Sequence, residues 1–175
     1  MQGAPRSSID ILQLGPDDWM LWRKLRLEAL GEAPDAFSSK LADWQGEGDT
    51  ESRWRTRLSA VPFNIVSYLD STSAGMVSAT APEDGTVELI SMWVAPFARG
   101  RSVGDALLAA VKAWAAEQEA ARISLAVFET NAHAIAFYRR HGFTDSDAIG
   151  IGGSRFPPER TMVWNRDPKS TAASA

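Results

Sequence analysis

The sequence contains no cysteine, so a thiol nucleophile, a disulfide framework and a cysteine-based metal site are all excluded. It has no uninterrupted apolar run near the ~20 residues that a membrane span requires. It also has no excess of positive charge, because its net charge is −4. The general electrostatic case for binding nucleic acid or a membrane surface is therefore missing. The first residues lack the charged start and apolar run of a signal peptide, so we expect a cytoplasmic location.

What is present is the composition of a globular protein, with 45% apolar and 23% charged residues. The length of 175 residues suits one domain with a proper hydrophobic core. We place that domain at residues 9–166. Residues 1–8 and the small-residue segment 167–175 carry no pattern that favours folding, so we expect both ends to be disordered.

The stretch from residue 87 to residue 114 organises the rest of the chain. Residues 87–94 are apolar and β-branched, which predicts a buried or half-buried strand. Residues 95–101 contain a proline, a glycine and two arginines and predict a tight turn. From Ser102 onward the apolar residues fall three or four apart, which predicts a helix.

The turn and the start of this helix have the properties of an anion-binding site. Backbone N–H groups in the first turn of a helix lack internal partners, and the helix dipole is positive at that end. Gly100, Ser102 and Gly104 are small enough to let a phosphate approach those amides. Arg99 and Arg101 add cationic donors at the same end.

A purely structural role for this turn stays open. Ser102 and Asp105 form an S-x-x-D capping signal, which any ordinary helix can carry. The two commonest phosphate motifs are absent. No Lys-Ser or Lys-Thr follows the turn as in a P-loop, and the glycines are not spaced as G-x-G-x-x-G.

The run R-G-R-S-V-G at residues 99–104 resembles the R/Q-x-x-G-x-G/A signature of the GNAT superfamily of acyl-CoA-dependent N-acyltransferases, with Ser102 where glycine is usual. The resemblance implies that the amides of this turn hold the pyrophosphate of coenzyme A. It also implies a bulge in the preceding strand, around residues 91–94, whose free backbone groups contact the pantetheine arm and the acyl carbonyl. The backbone N–H groups around Met92 would then form an oxyanion hole.

A second block, N-A-H-A-I-A-F-Y-R-R-H-G-F at residues 131–143, resembles the N-x-x-A-x-x-F-Y-x-x-x-G-F block of the same family. The resemblance places Asn131 beside the coenzyme arm and makes Tyr138 the general acid that protonates the leaving thiolate. A phenol suits that task, since its reference pKa of ~10 keeps it protonated near neutrality. The alternative is that Phe137, Tyr138 and Phe143 are core aromatics and Asn131 is a helix cap.

Together the two blocks imply a set of coenzyme contacts. These are Met92, Trp93, Val94, Arg99, Gly100, Arg101, Ser102, Val103, Gly104, Asp105, Asn131, Phe137 and Tyr138.

Glu88 is the candidate general base, because it is a carboxylate inside an otherwise apolar strand next to the expected bulge. An edge carboxylate that faces solvent is an equally good interpretation. His133 and His141 could share a helix face, but two histidines without a nearby carboxylate make a poor metal site. We expect no metal.

The remaining pattern predicts the element order β-α-α-β-β-β-α-β-α-β-β, a mixed α/β layer fold that is also the order of the GNAT family. The sheet is then mostly antiparallel, with helices on both faces. The first helix is expected to bury Leu21, Trp22, Leu25 and Ala29 and to leave Arg23, Lys24 and Arg26 outside.

The long connection 31–48 and the region 149–160 are expected to close over an acceptor groove. The tryptophans at positions 19, 22, 44 and 54 are expected to be mostly core residues. One or two of them near the long loop would line a pocket for a planar or cationic amine.

The sequence thus indicates a cytoplasmic acetyltransferase that moves an acetyl group from acetyl-CoA to a primary amine of a small molecule. Attack would be direct, in a ternary complex, because no cysteine and no G-x-S-x-G serine is available to carry the acyl group. Two alternatives stay open: a non-catalytic coenzyme-binding module, and an acetyltransferase of protein N-termini or lysines. The resemblance also allows a homodimer.

Overall fold

The computed structural model describes residues 7–146 and 158–167. The element order is the predicted one. The helices are α1 (Trp19–Glu32), α2 (Glu51–Ala60), α3 (Val103–Glu117) and α4 (Ala132–Arg140). The strands are β1 (Ile9–Gln13), β2 (Phe63–Leu69), β3 (Thr72–Ala79), β4 (Thr86–Val94), β5 (Arg122–Phe128), β6 (Thr144–Asp145) and β7 (Glu159–Asn165).

The seven strands form one sheet in the order β1-β2-β3-β4-β5-β7-β6. Every neighbouring pair is antiparallel except β4 and β5, which run parallel. That parallel pairing begins at Thr86 opposite Arg122 and ends at Glu88 opposite Ser124. Because β4 continues to Val94, the sheet opens between the two strands beyond Glu88.

Two hydrophobic cores lie on opposite faces of the sheet, as expected for alternating side chains. On β2, for example, Ile65 belongs to the core with α3 and α4, whereas its neighbour Val66 belongs to the core with α1 and α2. Met76 and Val77 on β3 divide in the same way. The predicted arrangement of a mostly antiparallel sheet between two helical layers is therefore confirmed.

The prediction that Arg26 lies outside is wrong, because only 8% of this residue is exposed. Arg26 is four residues after Trp22, so both lie on one face of α1, and that face is covered by the second core. Lys24 is exposed and Arg23 is half-buried. A charged residue type predicts an exposed position, but the buried stripe of α1 is wide enough to include Arg26.

The connection between α1 and α2 spans residues 33–50 and is more ordered than the expected 31–48 loop. Helix α1 extends to Glu32, and three short 3-10 turns follow at Pro34–Ala36, Leu41–Trp44 and Gly46–Gly48. Ser7 and Ser8, within the segment expected to be disordered, hydrogen-bond to Arg101 and Asp70. The other end residues, 1–6 and 168–175, lie outside the described residues, as does most of the region 149–160.

Among the residues that the structure describes, no helix has both the length and the apolar character needed to span a membrane.

The turn between β2 and β3 contains only two residues. Asp70 and Ser71 alone connect the strands, and both have positive φ, at 50° and 68°. Two consecutive residues of this kind form the hairpin turn that normally favours glycine.

Ser71→Gly should therefore stabilise the protein. The left-handed conformation costs an L-residue about 1–2 kcal/mol, and the greater freedom of glycine in the unfolded chain offsets roughly half of that gain. We expect a net increase of roughly 0.5–1 kcal/mol in the free energy of unfolding, measured by urea denaturation. Ser73→Gly, inside β3, is the matched control and should destabilise; equal effects of the two changes would contradict the argument.

Candidate active site

The predicted bulge is present in β4. Met76 pairs with Trp93 and Ser78 pairs with Ile90, so Ser91 and Met92 together oppose Val77. Ser91 has a φ of 57°, in the left-handed region. Bulges of this kind interrupt the ladder and leave backbone groups unpaired. Strand β4 therefore presents backbone polar groups near Met92, at the place where it has separated from β5.

The turn before α3 does not form a capping box. Ser102 is the N-cap in a left-handed conformation (φ 64°), and its side chain makes no capping hydrogen bond. The Asp105 carboxylate contacts Nε2 of His141 at 2.9 Å instead of folding back onto the turn. The amides of Ser102, Val103, Gly104 and Asp105 have no hydrogen-bond acceptor among the described residues.

Gly104 lies where α3 and α4 pack closely together. A Cβ added at this position would lie 3.2 Å from Cε2 and 3.3 Å from Cζ of Phe137. The same position faces Val94 at 3.7 Å. The glycine thus brings Phe137 against the start of α3, and a larger residue here would disturb packing as well as any ligand.

The two arginines of the turn behave differently. Arg99 Nε donates to the Val94 carbonyl at 3.1 Å, and its Nη2 donates to the Glu32 carboxylate at 2.7 Å. The same carboxylate accepts from Trp93 Nε1 at 3.0 Å. The hydrogen bonds from Trp93 and Arg99 lower the pKa of Glu32.

Arg101, in contrast, points to the other side. Its guanidinium donates to Ser7 Oγ at 2.8 Å and to the Asp70 carboxylate at 3.2 Å.

A cavity of about 950 Å³ lies above the turn, between the end of β4 and the starts of α3 and α4. It is lined by every predicted coenzyme contact except Arg101. The two sequence blocks, which are about thirty residues apart, are therefore adjacent in space.

A second cavity, of about 400 Å³, lies on the opposite side of the bulge. Its walls come from α1, α2, the 31–48 connection, β4 and β5, and Glu88 is one of its lining residues. Glu88 is exposed, but β4 is a central strand, so the interpretation as an edge carboxylate does not hold.

The two cavities share a small group of lining residues. These are Ala36, Phe37, Met92, Asn131, Ala134 and Tyr138.

Tyr138 is only 6% exposed and lies where the cavities meet. Burial raises its pKa above the ordinary value for a phenol, so the side chain is a neutral hydroxyl at physiological pH. Tyr138 also packs against Phe137 and Phe143, and the Asn131 side chain caps α4 by accepting from the Ala134 amide at 3.1 Å. The structural interpretation of this block is thus correct, and it does not compete with a role at the cavity.

Three charged residues of the smaller cavity were missed by the sequence analysis: Arg26, Arg57 and Glu159. No sequence signal distinguishes Arg57, because it is one of three arginines in α2 and the pattern of the helix does not separate them. Among the tryptophans, those at positions 22, 44 and 54 line this cavity, as was expected for one or two of them. No cluster of three metal-ligating side chains occurs within residues 7–146 and 158–167.

Comparison with known proteins agrees with this geometry. A family profile described as the GNAT acetyltransferase family matches residues 23–143. The chain therefore belongs to the GNAT acetyltransferase family, whose members are transferases that act with acetyl-CoA. No curated protein matches the chain.

Solved structures share the fold. PaiA N-acetyltransferase from Thermoplasma acidophilum, in complex with coenzyme A, is 18% identical, with a TM-score of 0.71 over 91% of this chain and 99% of that one. YncA, a putative acetyltransferase from Salmonella typhimurium with acetyl-CoA, is 18% identical, with a TM-score of 0.70 over 92% and 95%. Ard1 from Thermoplasma volcanium is 18% identical, with a TM-score of 0.68 over 90% and 97%.

One ion pair supports the wall of the smaller cavity and should make stability depend on pH. Asp49 accepts from Arg23 Nε at 2.7 Å and from Trp54 Nε1 at 2.8 Å. These hydrogen bonds, the one from Arg23 foremost, lower the pKa of Asp49 to about 2. Because the unfolded value is ~3.9, the contribution is fully present above pH 4 and is lost as the pH falls toward 2.

In Asp49→Asn the unfolding temperature should accordingly fall less between pH 4 and pH 2 than in wild type, as measured by circular dichroism. The variant keeps an acceptor for Trp54 but loses the charge that Arg23 stabilises. Asp10→Asn is the control, because Asp10 is exposed and has no ion pair among the described residues. Parallel curves for wild type and Asp49→Asn would show that this carboxylate is not linked to folding.

Proposed function

We propose that the protein transfers an acetyl group from acetyl-CoA to a primary amine of a small molecule, by direct attack in a ternary complex. The observation that carries the proposal is the meeting of two cavities at Tyr138, one below the bulge of β4 and one above the start of α3. A donor in the larger cavity and an acceptor in the smaller one would bring their reacting groups together at this point.

The larger cavity suits coenzyme A. The unpaired amides at the start of α3 are donors for a pyrophosphate, and the helix dipole favours negative charge there. The coenzyme supplies the acetyl group as an activated thioester. The unpaired backbone of the bulge near Met92 is placed to stabilise negative charge on the carbonyl oxygen during the transfer.

Two side chains would move the protons. Glu88, on the wall of the smaller cavity, takes a proton from the acceptor ammonium directly or through water, which frees the nitrogen lone pair. Tyr138 gives its phenolic proton to the departing sulfur. Since burial keeps this phenol neutral, it carries the proton at any pH where the acceptor can react.

The size of the smaller cavity favours a small acceptor over a protein substrate. Its volume of about 400 Å³ matches a small-molecule site. Five residues of the connection between α1 and α2 line it, namely Ala36, Phe37, Ser38, Ser39 and Trp44. A peptide would need a groove that continues past these side chains.

The coenzyme site is tested by a pair of nearly isosteric changes, Ser102→Asp and Ser102→Asn. Both residues accept the left-handed conformation and both are good N-caps, so neither should lower the unfolding temperature. Only aspartate places a negative charge beside the expected pyrophosphate.

We expect Ser102→Asp to weaken coenzyme A binding roughly tenfold or more, measured by calorimetric titration. Ser102→Asn should bind within a few-fold of wild type. Equal binding by the two variants, or no binding by wild type, would contradict the placement of the pyrophosphate and favour a purely structural turn.

The general acid is tested by Tyr138→Phe, which removes the hydroxyl and keeps the packing. We expect kcat to fall about 10²-fold or more, with a small change in KM for acetyl-CoA. Because the pKa of Tyr138 is raised, its deprotonation should cause no loss of wild-type kcat below about pH 10.

Tyr68→Phe is the matched control, since Tyr68 is the only other tyrosine and lines neither cavity. Unchanged kcat in Tyr138→Phe across the pH range would remove Tyr138 from the mechanism. If coenzyme A binds but no amine consumes acetyl-CoA, the protein is a non-catalytic coenzyme-binding module.

A further inference from the structure

Two arginines on the wall of the smaller cavity have no acidic partner among the residues that the structure describes. Arg26 comes from α1 and Arg57 from α2. Elsewhere the described arginines commonly pair with a carboxylate, as Arg23 does with Asp49 and Arg99 with Glu32. Neither cavity arginine forms an ion pair within the described part of the chain.

Arg26 is the more isolated of the two. It is 8% exposed, and its Nη1 atom is buried without a hydrogen-bond acceptor among the described residues. The guanidinium lies over the ring of Phe37, with 4.6 Å between its carbon and the ring centroid. The indole Nε1 of Trp22, another lining residue, is also buried without an acceptor. Both unsatisfied groups are donors, so what they lack is an acceptor.

Arg57 is held by neutral oxygens. It donates to Asn64 Oδ1 at 3.1 Å, to Ser78 Oγ at 3.2 Å and to Ser91 Oγ at 3.4 Å. These three contacts fix the guanidinium against the bulge of β4 and neutralise none of its charge. They also leave part of its donor set free, because a guanidinium carries five N–H groups.

Both side chains stay charged despite burial. The pKa of each is lowered to about 10, chiefly by burial, and for Arg26 the neighbouring charge of Arg57 is a second, smaller cause. At neutral pH the wall therefore holds two neighbouring cations. An unpaired buried charge is costly and is normally compensated by a counter-ion, so this arrangement is a site candidate and not a folding device.

We infer that the acceptor is an amine that also carries an oxyanion, such as the carboxylate of an amino acid, and that Arg26 and Arg57 bind this group. The inference rests on the proposed acetyl transfer and names its substrate class. A planar guanidinium matches a carboxylate or phosphonate by paired hydrogen bonds. Glu88 of β4 and Glu159 of β7 line the same cavity. They supply the negative charge that suits the ammonium of such a molecule.

The same geometry disfavours an acceptor that is only cationic. Aromatic rings on this wall attract cations, but the protein's own arginines already lie over three of them. Arg26 lies over Phe37, Arg57 over Trp22 at 5.3 Å, and Arg53 over Trp44 at 3.9 Å. Two of the three tryptophans that line the cavity, Trp22 and Trp44, are therefore already in contact with a cation of the protein itself.

The test compares amines that carry an anion with amines that carry none. Wild-type enzyme is assayed for release of coenzyme A with free amino acids, with the corresponding amino acid amides, with 2-aminoethylphosphonate and with polyamines. We expect the anionic amines to be preferred over their neutral partners by roughly tenfold to a hundredfold in kcat/KM. The carboxylate and phosphonate arms decide which oxyanion is used. Equal or better turnover of the amides or polyamines would overturn the inference and leave the acetyltransferase function intact.

Arg26→Met keeps the length of the side chain and removes its charge. It tests whether the preference for anionic amines comes from this wall of the cavity. It should raise KM for the anionic amine roughly tenfold to a hundredfold, leave KM for acetyl-CoA unchanged and abolish the preference over the amide. It should also raise the unfolding temperature, because it removes a buried, unpaired cation. Lys24→Met, on the exposed side of α1, is the control for loss of one positive charge. A retained preference in Arg26→Met would overturn the assignment.

A binding measurement separates this inference from the proposed function. With coenzyme A present, N-acetylated amino acids should raise the unfolding temperature of wild type more than their amides do, and Arg26→Met should remove the difference. This result would support the anion site even if no amine were acetylated, in which case the proposed function alone would fail. Equal shifts for acid and amide, or no shift with either, would overturn the anion site.

Discussion

The separation of β4 from β5 is the feature on which the rest of the structure depends. The two strands are held in parallel only as far as Glu88 and Ser124, and each then diverges to its own antiparallel neighbour. A continuous ladder would have closed the sheet and left no space for ligands. Both cavities lie along this opening, and Tyr138 stands where they meet. The sheet thus provides a rigid frame with an opening at the strand ends.

Two of the non-glycine residues with positive φ lie at the same opening. Ser91 in the bulge and Ser102 at the start of α3 both have positive φ without being glycine, at a cost of about 1–2 kcal/mol each. Such conformations persist only where the surroundings enforce them. At Ser91 the enforcement is visible, because Arg57 of α2 donates to its hydroxyl. The positive φ at position 102 also explains in physical terms why glycine is usual at this place in the family motif.

The sequence allowed prediction of features that are local in the chain, and failed where the cause is contact between distant elements. Strand, turn and helix of the central stretch follow from periodicity and from Pro96 and Gly100, and the element order was correct throughout. The charged wall of the smaller cavity was not predictable. Arg26 looks like a surface residue of an amphipathic helix, and only the packing of α2 and the 31–48 connection over α1 makes it buried.

The wall of the smaller cavity that holds Arg26 and Arg57 also shows a conflict between stability and the function that we infer for it. A methionine at position 26 would fill the same space and remove an unsatisfied donor, so stability alone gives no reason for arginine. Natural proteins tolerate such local violations where a ligand supplies the missing partner. The rule that buried charges are paired therefore applies to the complex rather than to the free protein. On this argument the acceptor's oxyanion is the absent member of a charge network that α1, α2 and the bulged strand have already assembled.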